Sequence, residues 1–143
     1  MTDELDNIDT FIDFDAAAPV PTLRIDIRSR AGLRKLRELM MDLSRGARTE
    51  VRFNHLSNVR FLERVTLVAR LRPAQRGRSL RAAKFVAAQR TRGAQPVIVW
   101  SASSARWDEA AGLVEGLARR GGHQYFNESR SDDVEIVVAF LER

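Results

Sequence analysis

Leu23-Arg24-Ile25-Asp26-Ile27-Arg28, running into Ser29 and then through Leu33, Leu36, Met40 and Leu43 to Gly46, is the stretch that decides the fold. Its first six residues alternate apolar and polar, which predicts a strand with one buried face. Ser29 offers a side-chain oxygen to the unpaired N–H groups of a helix start. The four apolar residues that follow recur at helical spacing, Leu39 widens the stripe, and Gly46 can take the left-handed conformation that closes a helix.

A second clear unit begins after Pro96. Val97-Ile98-Val99-Trp100 is an apolar run short enough for a buried strand, and Ser103 or Ser104 can cap the helix after it. Trp107, Ala111, Val114 and Leu117 make the buried stripe of that helix. Asp108 and Glu109 are expected in its first turn, with Arg119-Arg120 in its last before Gly121-Gly122, an arrangement that suits the helix dipole. Gly112 and Gly116, four residues apart, are expected to let another element approach closely.

Between and beyond these units the signals are shorter. Val51 and Phe53 mark a brief strand, and the turn formers from Asn54 to Asn58 predict a bend. Arg64 to Leu71 alternates with Val65, Leu67, Ala69 and Leu71 on one face, although Val59, Leu62, Val65 and Ala69 also fit a helical period. Residues 84–89 read as a strand pairing with Val97–Trp100 through a turn at Arg90–Gln95, or else as part of a helix after Ser79. Val134, Ile136, Val138 and Phe140 form a last alternating strand with Glu135 outward. The predicted class is α+β: a mixed, largely antiparallel sheet with two helices packed on one face. No internal repeat stands out.

Charge is segregated along the chain. Residues 1–17 hold six acids and no Lys or Arg, whereas residues 24–92 hold nineteen bases against five acids. Such a field favours association with a charged partner, or folding of the acidic segment onto the basic body. Residues 1–21 read as an acidic tail, since Pro19 and Pro21 favour extended backbone, and residues 22–143 as one α+β domain. Within the tail, Asp9, Phe11, Asp13, Phe14 and Asp15 are candidates for docking on a basic face, with the two phenylalanines as apolar anchors. Arg76, Arg78, Arg81 and Lys84 belong to the densest basic run, suited to phosphates or to a protein face.

Catalytic and cofactor signatures are lacking. The chain has no cysteine, which excludes disulfides and thiolate chemistry. His55 and His123 stand in no metal-ligand spacing, and the glycines form no phosphate cradle, so no metal or cofactor is expected. His123 with Asp132-Asp133 and a nearby serine would be the only nucleophilic constellation. Its structural counterpart is stronger: Gly121-Gly122 end the helix, and His123 and Tyr125 pack half-buried as the chain returns. Trp100 and Trp107 are expected in the core, Trp107 becoming an interface anchor if exposed. The N-terminus lacks the basic and apolar regions of a signal peptide and no run is long enough to span a membrane, so a cytoplasmic protein is expected.

Residues 97–141, with the Val97–Trp100 strand, the Trp107 helix, Gly122-His123-Gln124-Tyr125, Asp132-Asp133 and the Val134–Phe140 strand, resemble small immunity proteins encoded beside bacterial polymorphic toxins. The resemblance implies a protein that binds and blocks a cognate toxin without catalysis. Together with the charge pattern, it predicts a non-enzymatic binding protein docking on a macromolecular partner. Independently of the resemblance, Trp107, His123 and Tyr125 are further candidate contacts. The alternative is an Arg-dependent nucleic-acid-binding domain.

Overall fold

The computed structural model describes residues 7–72, 86–92, 95–126 and 134–141. The elements run β1 (Thr10–Asp15), β2 (Thr22–Ile27), α1 (Arg30–Arg45), β3 (Glu50–Arg52), β4 (Val59–Phe61), β5 (Thr66–Leu71), β6 (Val86–Arg92), β7 (Gln95–Ala102), α2 (Ser104–Arg120), β8 (Gly122–Tyr125) and β9 (Glu135–Phe140). The class is α+β, with both helices against sheet and against each other. The strands form two mixed sheets rather than one: a five-stranded sheet ordered β4-β1-β2-β9-β8 and a four-stranded sheet ordered β3-β5-β7-β6. One apolar core joins them, from Ile12, Ile25 and Ile136 through Leu36 and Met40 to Trp100 and Trp107.

Both helices form for the reasons legible in their caps. Ser29 Oγ accepts from Gly32 N at 3.0 Å, and Gly46 ends α1 at φ 74° with its N–H bonded to the Leu43 carbonyl. Ser103 Oγ accepts from Arg106 N at 3.3 Å, so α2 starts at Ser104. That start puts Asp108 and Glu109 in the second turn instead of the first, where Glu109 pairs with Arg106 at 2.9 Å. Gly32 tolerates no side chain, because a Cβ there would stand 2.8 Å from Ile27 Cγ2 and 2.9 Å from Asp9 Cγ. Gly112 is exposed with open space around it, and a Cβ at Gly116 would meet only Arg120 of the same helix, at 3.1 Å, so among the described residues the expected close approach of another element occurs at neither.

Residues 10–15 are not tail. They form β1, whose two edges pair with β2 and β4, and Ile12 and Phe14 enter the core. The boundary placed at residue 21 therefore fails. Alternation between acids and large apolar residues, read as an amphipathic docking segment, is the period of a half-buried strand. Elsewhere β5 takes up the alternating 66–71 segment, and the helix weighed there does not form. The hairpin reading of 86–100 holds: Ala87 faces Trp100 and Gln89 faces Ile98 in an antiparallel pair, with strand continuing through Arg92 and resuming at Gln95.

The topology repeats although the residues do not. Each half contributes a hairpin and the helix after it, then sends two more strands into the other half's sheet. Leu23, Ile25 and Ile27 of β2 pair in parallel with Ile136, Val138 and Phe140 of β9. Ile98, Trp100 and Ala102 of β7 pair in parallel with Leu67, Ala69 and Leu71 of β5. Even the bonds beyond the strands correspond, Leu141 N to the Ile27 carbonyl and Arg72 N to the Ala102 carbonyl, both at 2.8 Å. The buried stripe Leu33, Leu36, Met40, Leu43 of α1 matches Trp107, Ala110, Val114, Leu117 of α2. At each end of the antiparallel helix pair, the first residue of one helix bonds the C-terminal region of the other: Arg30 Nη1 to the Ala118 carbonyl at 2.8 Å, and Ser104 Oγ to the Ser44 carbonyl. Burial pattern is shared and side-chain identity is not, so no sequence repeat was visible.

Candidate functional site

The strand register builds a surface on the outer face of the five-stranded sheet. Side chains alternate across a strand, so with Ile12, Ile25 and Val138 turned inward their neighbours point out. One row crosses the sheet as Arg60, Phe11, Asp26, Ala139 and His123, and the next as Asp13, Arg24, Val137 and Tyr125. Five strands at their usual spacing make this face about 19 Å wide. The Arg28 guanidinium carbon lies 4.3 Å from the centroid of the Phe11 ring, a cation–π contact. Arg24 Nε meets Asp26 Oδ1 at 2.6 Å. On β8, His123 and Tyr125 stand edge to face with centroids 5.5 Å apart, and Tyr125 is 50% exposed.

The face thus brings together Phe11, Asp13, His123 and Tyr125 of the expected binding residues. His123 and Tyr125 are exposed rather than half-buried, because β8 is an end strand of the sheet and directs both side chains away from the core. The remaining candidates have other places. Asp9 accepts hydrogen bonds from Thr10 Oγ1 at 3.0 Å, Ser29 Oγ at 3.0 Å and Asn58 Nδ2 at 2.9 Å, tying the start of β1 to the cap of α1. Phe14 points into the core, and Asp15 Oδ1 holds the turn after β1 by accepting from Ala17 N and Ala18 N. Trp107 is fully buried, 4.9 Å from Trp100 in a T-shaped pair, with Nε1 donating to the Arg70 carbonyl at 3.1 Å. It cannot touch a partner in this fold. Arg76, Arg78, Arg81 and Lys84 lie outside the described residues, as do Asp132 and Asp133.

A second feature was missed in the sequence. The outer groove between α1 and α2 has a volume of about 370 Å³ and is lined by Arg30, Arg34, Arg37 and Glu38 from α1, with Glu115 from α2. Buried Leu33 and Val114, with half-buried Ala118, form its floor. Arg37 Nε stands 3.6 Å from Glu115 Oε2, and among the described residues it has no hydrogen-bond acceptor. The spacing of Arg30, Arg34 and Arg37 along one helix face was the available signal, but only the antiparallel α2 turns that row into a groove wall. On β5's far end, burial lowers the pKa of the Arg72 guanidinium.

Among the described residues, no three His, Cys, Asp or Glu side chains gather as a metal site, and no helix is long and apolar enough to cross a membrane. Comparison with protein-family models, with curated proteins and with solved structures found no match.

Proposed function

We propose that this is a non-enzymatic binding protein that docks on a macromolecular partner through the outer face of its five-stranded sheet, acting as an inhibitor. The immunity role implied by the resemblance is its most specific form: a cytoplasmic bacterial protein neutralising a toxin. One observation carries the docking reading: a sheet face presenting Tyr125, His123 and Phe11 beside Arg24, Arg28 and Arg60, with Val137 and Ala139 buried between them. Aromatic and Arg side chains are the usual anchors of protein interfaces. Co-purification from the native host, followed by calorimetry with the captured protein, tests it. Tyr125→Ala and Phe11→Ala are each expected to cost more than ~1 kcal/mol of binding with little change in melting temperature. Full affinity in both variants would end the proposal for this face.

The alternative, nucleic-acid binding, draws its support from the excess of basic residues between 24 and 92. It predicts a linear fall of log affinity with log salt, with a slope of roughly 0.9 for each duplex phosphate neutralised. Changing Arg76, Arg78, Arg81 and Lys84 to Glu should flatten that slope. No salt-dependent binding of single- or double-stranded RNA or DNA at low ionic strength would remove this reading.

A further inference from the structure

The repeated topology supplies an internal comparison for the groove between the helices. Arg30, Arg34 and Arg37 of α1 correspond to Ser104, Asp108 and Ala111 of α2, and Glu115 corresponds to Met41. The same helix pairing is therefore met with a serine, an acid and an alanine at the other end. At the other end Ser104 makes the bond between helices that Arg30 makes here, so that bond does not by itself call for a guanidinium. Three arginines collected at this end, along a groove with an apolar floor, are thus specific to this half of the molecule.

We propose that the groove is a docking site for an acidic, amphipathic helical segment of a partner protein. Charge complementarity sets the sign, because the arginine wall outweighs Glu38 and Glu115. The floor sets the chemistry. Half-buried Ala118, over buried Leu33 and Val114, is the apolar contact for an incoming helix, whose carboxylates then meet the arginine wall. A phosphodiester chain has nothing apolar to place on that floor and would meet the two glutamates. This site is independent of the sheet face, since the helices pack on the inner side of the sheet whose outer side carries Tyr125.

The probe is a fluorescently labelled synthetic helical peptide with Leu at i, i+4 positions and Glu between, titrated into the full chain by anisotropy. A peptide with Gln in place of Glu and an oligo-dT strand serve as comparisons. The Glu peptide is expected to bind, more weakly as salt rises, and Arg34→Glu and Arg37→Ala to weaken it by about tenfold each. Arg34→Gln, conservative at an exposed helix position, should weaken it less and keeps the test valid if the charge reversal disturbs folding. Asp108→Arg at the corresponding far end and Tyr125→Ala on the sheet should leave peptide affinity unchanged. Equal binding of the Gln peptide, displacement by oligo-dT, or indifference to both arginine changes would overturn the proposal. Binding that emerges only when residues 1–6 are deleted would also overturn it, by assigning the groove to the chain's own acidic N-terminus. Loss of peptide binding with retained toxin binding, or the reverse, separates this site from the sheet face.

Discussion

Deletion of residues 1–18 is expected to abolish the folded state. β1 is an interior strand: β2 pairs along all six of its residues and β4 along Thr10–Ile12. Ile12 is wholly buried and Phe14 nearly so, and burying a side chain of this size is worth about 1.5–3 kcal/mol. The Asp9 carboxylate and its bonds to Ser29 and Asn58 would also go, leaving the cap of α1 and the turn before β4 without their tie. Exposed ladder groups on β2 add to the loss. Against a net stability of roughly 5–15 kcal/mol for a domain, the sum is decisive. Loss of the cooperative thermal transition and of dispersed amide resonances in the truncated chain is the expected result. A truncated protein that melts cooperatively near the temperature of the full chain would show that β1 is dispensable. Because this truncation removes a strand, it cannot report on docking by the acidic segment, for which Phe11→Ala is the suitable change.

Trp107→Ala is expected to be the most damaging single substitution, costing about 3–5 kcal/mol. The indole is fully buried, packs edge-on against Trp100, and donates to the Arg70 carbonyl where β5 ends. Truncation therefore opens a cavity between α2 and the four-stranded sheet and removes the indole donor from the Arg70 carbonyl. Trp107→Phe keeps most of the volume and loses the hydrogen bond, which is worth about 1 kcal/mol. Urea unfolding of both variants measures the difference as a shift in midpoint at constant slope. If Trp107→Phe left stability unchanged while weakening partner binding, Trp107 would be an interface residue and the burial described for it would be wrong.

Trp107 and β1 show where sequence reasoning stops. Trp107 fits both a core stripe and an interface anchor by spacing alone, and the choice depends on what stands opposite. Trp100 stands opposite, on a neighbouring element that the pattern of α2 does not identify. Phe11 and Phe14 lie three residues apart and look alike as anchors, yet strand alternation sends Phe11 to the outer face and Phe14 into the core. His123 and Tyr125 stand edge to face on β8, but their exposure, which spacing alone does not show, follows from β8 lying at the end of its sheet. The arginines of the groove escaped notice because Arg30, Arg34 and Arg37 sit in a chain already rich in arginine.

The sequence by itself determined the local elements: both helices with their serine caps and closing glycines, strand segments within 23–28, 97–100 and 134–140, and the α+β class. These depend on side-chain period and on groups a few residues apart, which are written contiguously in the chain. Only the tertiary structure decided that the strands divide into two sheets, that each half completes the sheet of the other, and that a row of arginines faces α2. Backbone ladder bonds join strands through N–H and C=O groups that every residue but proline carries. Partner choice is therefore settled by how the apolar faces of distant segments pack together, as when Leu23 pairs with Ile136 and Leu67 with Ile98.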